Sequence, residues 1–196
     1  MKEETLGKIF EFIKEKGKQN LPLFWKLKND IPLTEEDLTF KGDLNLENSK
    51  ITSLPDGLKV EGDLMLTFLE ITSLPDDLQV GGHLNIIGCD AINSLPKGLK
   101  VGDSIQLSPI RIVSIGEGLF VGGDLNLFNS QIKSLPQGVK IGGELILSFT
   151  KIETLPKGLI VKGGLDIAGT PLEKYSDDEL RKMVKPGVIK GSIIRD

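Results

Sequence analysis

Residues 122–141 read GGDLNLFNSQIKSLPQGVKI, and two earlier stretches say nearly the same: GDLNLENSKITSLPDGLKV from Gly42 and GDLMLTFLEITSLPDDLQV from Gly62. One apolar skeleton returns each time while the residues between its members change. A fixed period of this length signals the stacked coils of a solenoid, not one globular core. Leu-x-Leu pairs open at Leu44, Leu64, Leu84, Ile105, Leu125, Leu145 and Leu165, which makes seven coils. Their spacing is 20 residues, except for 21 across the Gly88–Ala91 stretch.

Within a coil, Leu-x-Leu alternates at period two, the pattern of a short strand with one buried face. Stacked in parallel, such strands make a sheet roughly 30–35 Å long. The Leu-Pro-x-Gly stretch turns the chain, because proline cannot donate to a ladder and glycine allows positive φ. A second apolar pair, Leu58/Val60 or Leu99/Val101, predicts a brief extended run on the back of the coil. The Gly-Gly that follows is read as a sharp corner. No apolar run of period 3.6 survives between the prolines, so the repeat contains no helix.

Leu125-Asn126-Leu127-Phe128-Asn129-Ser130-Gln131-Ile132 follows the pattern L-x-L-x-x-N-x-L, and on it the chain resembles the leucine-rich repeat family. The short Leu-Pro repeat is similar to the bacterial-effector type and to repeats found in bacteria and bacteriophages. The resemblance covers residues 41–172. It implies a mainly β repeat solenoid of seven stacked leucine-rich-repeat-like coils with a parallel sheet, and helical N-terminal and short helical C-terminal caps. One departure stands out. The family's asparagine-ladder seat holds Ser49, Leu69, Cys89, Ile110, Ser130, Thr150 and Thr170, and Leu69 and Ile110 cannot hydrogen-bond there. The effector relatives also carry a ubiquitin-ligase domain after the repeats, and the stretch after Thr170 is too short for one.

The expected organisation is a helical N-terminal cap over 1–40, the solenoid over 41–172, and a C-terminal cap of helix plus final strand over 173–196. Thr34-Glu-Glu-Asp37 and Ser176-Asp-Asp-Glu179 have the form of capping boxes. Phe24 and Trp25, in Leu21-Pro-Leu-Phe-Trp25, are expected to seal the first coil. Met1–Lys18 has the pattern of an amphipathic helix rather than of a signal peptide or membrane span.

The formal net charge is −4 and the whole acidic excess lies in the repeats, so the basic footprint of nucleic-acid binding is missing. One cysteine, Cys89, rules out an intrachain disulfide and suits a reducing compartment. The expectation is a cytoplasmic protein without a membrane segment, in the host-cell cytoplasm if phage-encoded. Lone His83 has no second histidine for a triad or metal cluster, and Cys89 reads as a small buried thiol. No enzymatic activity, metal or cofactor is expected.

Binding residues are sought among the side chains that alternate away from the core. The middle residues of the strands include Met65, Asn85, Gln106, Asn126 and Ile146, and the next seats add Ile87 and Phe128. One seat further stand Phe68 and Phe149, either exposed or folded over the coil edge onto one another. Just before the strands come Asp63, Asp124 and Glu144, whose stacked charges would repel unless relieved. An apolar patch rimmed by Asn, Gln and Asp has the composition of a protein-binding surface. The expected function is a non-catalytic module that binds or sequesters a protein partner, and family resemblance adds a bacterial or phage inhibitor of a host protein. The alternative is a structural protein that forms homo-oligomers.

Overall fold

The computed structural model describes residues 22–29, 31–107 and 112–195. The expected helix in Met1–Lys18, Leu21 and the stretch 108–111, with the Ile110 ladder seat, lie outside these residues. The chain winds into a β-solenoid of about six turns, with successive coils about 20 residues apart. Each turn contributes strands only two residues long, and all strand pairs run parallel and in phase. A front sheet of eight strands runs from Leu44–Asn45 through Leu64–Met65 and Leu125–Asn126 to Ile193–Ile194. A back sheet, also of eight strands, runs from Thr39–Phe40 through Lys59–Val60 and Phe120–Val121 to Val188–Ile189. A small third sheet pairs Ser94–Leu95 with Ser114–Ile115.

Each brief extended run expected on the back of the coil is a two-residue strand, and these strands pair into a second full sheet. Its backbone groups find partners one coil away, as in Gln79 N–H to Leu58 O at 3.3 Å and Gly81 N–H to Val60 O at 2.8 Å. Alternation holds on both sheets. Leu44, Leu64, Leu84 and Leu125 point inward and are buried, and so do Val60, Val80, Val101 and Val121. One continuous apolar cluster runs from Leu23 to Ile189.

The chain bends at the Gly-Gly pairs, as expected, but glycine is required there for another reason. At Gly81, Gly102, Gly122 and Gly142 the φ angle is outside the left-handed region, so a bend is not what requires glycine. A Cβ on Gly102 would collide with the carbonyl oxygen of Gly81, one on Gly122 with that of Gly102, and one on Gly142 with that of Gly122. Glycine is needed here because consecutive coils approach backbone to backbone. The turn glycines Gly57, Gly98, Gly118, Gly138 and Gly158 do adopt positive φ, as the Leu-Pro-x-Gly reading requires.

At the N-terminal side a short helix spans Leu23–Lys28 and a 3-10 turn spans Glu35–Leu38. The expectation for Phe24 and Trp25 needs correcting. Leu23 and Lys26, one helical turn apart, are buried, Phe24 is exposed and Trp25 is half-buried. The helical period decides which residues face the coil, and it selects Leu23, Lys26 and Leu27 over the larger rings. Lys26 Nζ lies 2.6 and 2.7 Å from the two carboxylate oxygens of Asp37. Burial pushes the Asp37 carboxyl up, but hydrogen bonds from Lys26 and Thr34 outweigh it and hold the group below its ordinary value. At the other side a helix spans Asp177–Met183, opened by Ser176 and Glu179 in reciprocal hydrogen bonds. The segment beyond it joins the stack: Val188–Ile189 pairs with Ile160–Val161, and Ile193–Ile194 with Leu165–Asp166. Leu172, Leu180, Val184 and Ile189 continue the core through it.

Candidate functional site

The front sheet lines up the outward column foreseen from the alternation. Asn45 pairs in register with Met65, Met65 with Asn85 and Asn85 with Gln106; further along, Asn126 pairs with Ile146 and Ile146 with Asp166. Asn45, Gln106 and Asn126 are exposed, and Met65, Asn85, Ile146 and Asp166 are half-buried by their neighbours.

Several of these polar seats are already occupied by bonds within the chain. Asn85 Oδ1 accepts the Ile87 N–H at 3.0 Å and Asn126 Oδ1 accepts the Phe128 N–H at 2.8 Å. Asn45 and Asp166 do the same for Glu47 and Ala168. Each is a side chain closing a local turn two residues on, which secures the chain as it leaves the strand. The acidic seats before the strands form a second ladder, this time between coils. Asp43 accepts the Asp63 N–H at 2.9 Å, Asp63 the His83 N–H at 2.7 Å, and Asp124 the Glu144 N–H at 2.7 Å. Ser104 takes the same place for Asp124. The charges of Asp43, Asp63 and Asp124 are thus each paired with a backbone dipole from the next coil. The second glycine of the Gly-Gly pair makes room for this: a Cβ on Gly82 or Gly143 would strike the carboxylate of Asp63 or Asp124. The coils interlock here: Asp63 fills the space left by Gly82, and Asp124 the space left by Gly143.

The third column decides the character of the face. Asn48, Phe68, Gly88, Asn129, Phe149 and Gly169 all have φ between 53° and 73°. Their backbone is held there by bonds to the next coil, such as Phe68 N–H to Ile87 O at 3.0 Å and Phe149 N–H to Ala168 O at 2.7 Å. Asn and Gly suit left-handed backbone; a bulky phenylalanine does not. Phe68 is nevertheless 64% exposed and Phe149 58%. Each ring lies across the glycine of the following coil, where a Cβ on Gly88 or Gly169 would run into it. Phe149 also meets Phe128 edge-on, with centroids 5.4 Å apart and planes at 70°, and Phe128 is itself 49% exposed. The two readings of these phenylalanines therefore merge: the rings cover a coil edge and still present most of their surface. Asn or Gly recurring at positions 48, 88, 129 and 169 was the sequence signal for this left-handed column. An open recess of about 470 Å³ lies beside Phe68, lined by Asn48, Lys50, Thr52 and Glu70 among others.

Of the other nominated residues, Gln106 and Glu144 stand exposed at the front and Ile87 is half-buried. His83 Nε2 lies 3.3 Å from an Asp103 carboxylate oxygen. Among the described residues no group of three or more His, Cys, Asp or Glu is placed to hold a metal ion. The Cys89 thiol donates to Leu66 O at 2.9 Å, and burial, with a smaller push from the Asp90 charge, raises its pKa above the ordinary thiol value. A raised pKa leaves little thiolate at neutral pH. In the folded protein Cys89 should therefore react slowly with a chromogenic disulfide reagent at pH 7 and become reactive at the rate of a free thiol in denaturant. Fast native labelling would show the reverse.

No helix among the described residues is long and apolar enough to cross a membrane. No protein-family model matches the chain, and no curated protein or solved structure is detectably similar to it.

Proposed function

We propose that this protein is a non-catalytic binding module of the leucine-rich-repeat kind, with seven coils and helical segments capping its ends, that grips a protein partner through the front face. The observation that carries the reading is the pair Phe68 and Phe149, large rings held at left-handed φ with more than half their surface in solvent. Such strain costs on the order of 1–3 kcal/mol per residue and tends to be kept where a site needs it. Large exposed rings are the residues that anchor interfaces. Resemblance to bacterial and phage repeats adds inhibition of a host protein, in the cytoplasm, as the setting.

The test replaces Met65, Phe128 and Ile146 together by polar residues. A partner captured from a bacterial lysate by the parent chain is expected to be lost by the triple variant, with Tm changed by no more than about 3 °C. If Tm collapses, these side chains belong to the core; if capture persists, the front face is not the grip.

A second reading, self-assembly, is favoured by one observation. The terminal strands Val188–Ile189 and Ile193–Ile194 are edges of their sheets, with Val188 39% and Ile194 42% exposed. Unpaired edges template association. Sedimentation velocity separates the two: a concentration-dependent dimer or filament supports assembly, and a monomer up to high concentration removes it.

A further inference from the structure

The coils containing the two strained phenylalanines share more than a phenylalanine. Around Phe68 the chain reads Leu64-Met65-Leu66-Thr67-Phe68, and around Phe149 it reads Leu145-Ile146-Leu147-Ser148-Phe149. In both, an aliphatic residue replaces the Asn or Asp that elsewhere closes the turn, so that bond is given up. In both, the residue two places further on carries a hydroxyl that donates to a carboxylate of an adjacent coil: Thr67 to Glu47 at 2.7 Å, Ser148 to Asp166 at 2.8 Å. In both, the following coil supplies glycine under the ring. Where the strand seat is Asn or Asp, the left-handed seat is Asn or Gly; where it is Met or Ile, that seat is Phe. Three linked changes therefore occur twice, and each copy builds the same aliphatic–aromatic anchor.

The two anchors lie four strand pairings apart along the front sheet, from Leu64–Met65 to Leu145–Ile146. At the usual strand spacing of 4.7–4.9 Å that separation is about 19 Å. The strip between and around them is one-signed. From the seat of Asp43 to the seat of Ser49, and in the same seats of the coils opening at Leu64 to Leu165, there is no Lys or Arg; Arg195 enters the register only opposite Ile167, at the last strand. Asp63 and Glu144 stand in the anchor coils, Asp124 lies between them, and Asp43, Glu47 and Asp166 lie in the coils just outside. Lys50 and Lys151 begin only at the next seat, on the flanking side, and Lys59, Lys100 and Lys140 project from the back sheet.

From this duplication and this charge pattern we infer that the front face takes a cationic polypeptide segment of its partner, with two apolar side chains roughly 19 Å apart and Lys or Arg close to each of them. The apolar groups seat on Met65/Phe68 and on Ile146/Phe149, and the carboxylates in and next to those coils attract the basic side chains beside them. Single-signed clefts of this kind steer and select oppositely charged partners. This rests on the protein-binding reading above and sharpens it.

The probe is a random-peptide display library selected on the intact chain. The expected winners are net positive, carry two separated apolar clusters, and bind more weakly as salt rises. Phe68→Asn or Phe149→Asn should each weaken a winning peptide about tenfold or more, as loss of an interface anchor does. Asparagine is the safe replacement, since the chain itself uses it in this column at Asn48 and Asn129, with φ of 53° and 54°. Tm should move by no more than about 3 °C in either variant, which separates lost contact from lost fold. Winners that are neutral or acidic, or that bind both variants as well as the parent, overturn the inference and leave the protein-binding reading intact. So does an absence of winners while the lysate partner is still captured. If that capture fails as well, the underlying reading goes with it. Self-association abolished by the same two substitutions would assign the strip to a second copy of this chain and also overturn the inference.

Discussion

Gly122→Ala should unstack the solenoid near its middle. The added methyl would collide with the carbonyl oxygen of Gly102 in the coil before, and neither atom belongs to a side chain that can rotate away. Relief requires the two coils to part. That strains the Gly122 N–H bond to Val101 O at 2.8 Å and the Gly123 N–H bond to Asp103 O at 3.0 Å. Overpacking commonly costs 1–3 kcal/mol, and a backbone-on-backbone clash belongs at the upper end, about 3 kcal/mol. For a chain of this size that is a fall in Tm of roughly 6–12 °C. Gly138→Ala is the control. A Cβ there meets no atom within 4 Å, so only its φ of +72° resists the change. That penalty is about 1 kcal/mol. Urea unfolding of both variants decides the matter: equal losses would mean the corner glycines serve local turning and not close approach of coils.

Leu125→Ala and Asn126→Ala, adjacent on one strand, should differ severalfold. Leu125 is fully buried between the equivalent Ile105 and Leu145. Truncating such a side chain removes its transfer energy and leaves a cavity, for about 2–5 kcal/mol in all. In a solenoid each coil touches only its neighbours, so a defect in a central rung weakens both of its interfaces. Asn126 faces solvent, and its removal costs only the hydrogen bond to Phe128 N–H, about 1 kcal/mol. Thermal and urea denaturation of the pair measure this directly. Comparable losses would mean that the alternation of buried and exposed side chains is not what holds the strand.

Much of this architecture was legible before any coordinates. Period-two alternation in Leu-x-Leu told inside from outside on the front strand, and the recurrence of Leu-Pro-x-Gly located a turn with left-handed glycine. The apolar pairs such as Leu58 and Val60 were visible too, but not that their rungs would pair into a second sheet as large as the first. That depends on the Lys59–Val60 backbone meeting its equivalent one coil away at bonding distance. Trp25 shows where size misled: a large ring suggests a seal, yet the helical face set by Leu23 and Lys26 turns it partly to solvent.

The candidate site was legible as a list of outward seats and not as a set of roles. Asp63 and Asn85 look alike in the sequence, both polar and both beside a buried leucine. One bonds the backbone of the next coil and the other closes its own turn. The strain at Phe68 and Phe149 was equally hidden, since a phenylalanine carries no mark of the φ it is forced to adopt.

Taken alone, the sequence determined the repeat, the phase of its buried face and the positions of its turns, because each depends on residues within one period of twenty. What only the tertiary structure decided is how the remaining polar and aromatic seats are used. Their partners are backbone groups and glycines about 20 residues away, as Asp63 and His83 or Phe68 and Gly88 show, and these arrive within reach only once one coil is laid against the next.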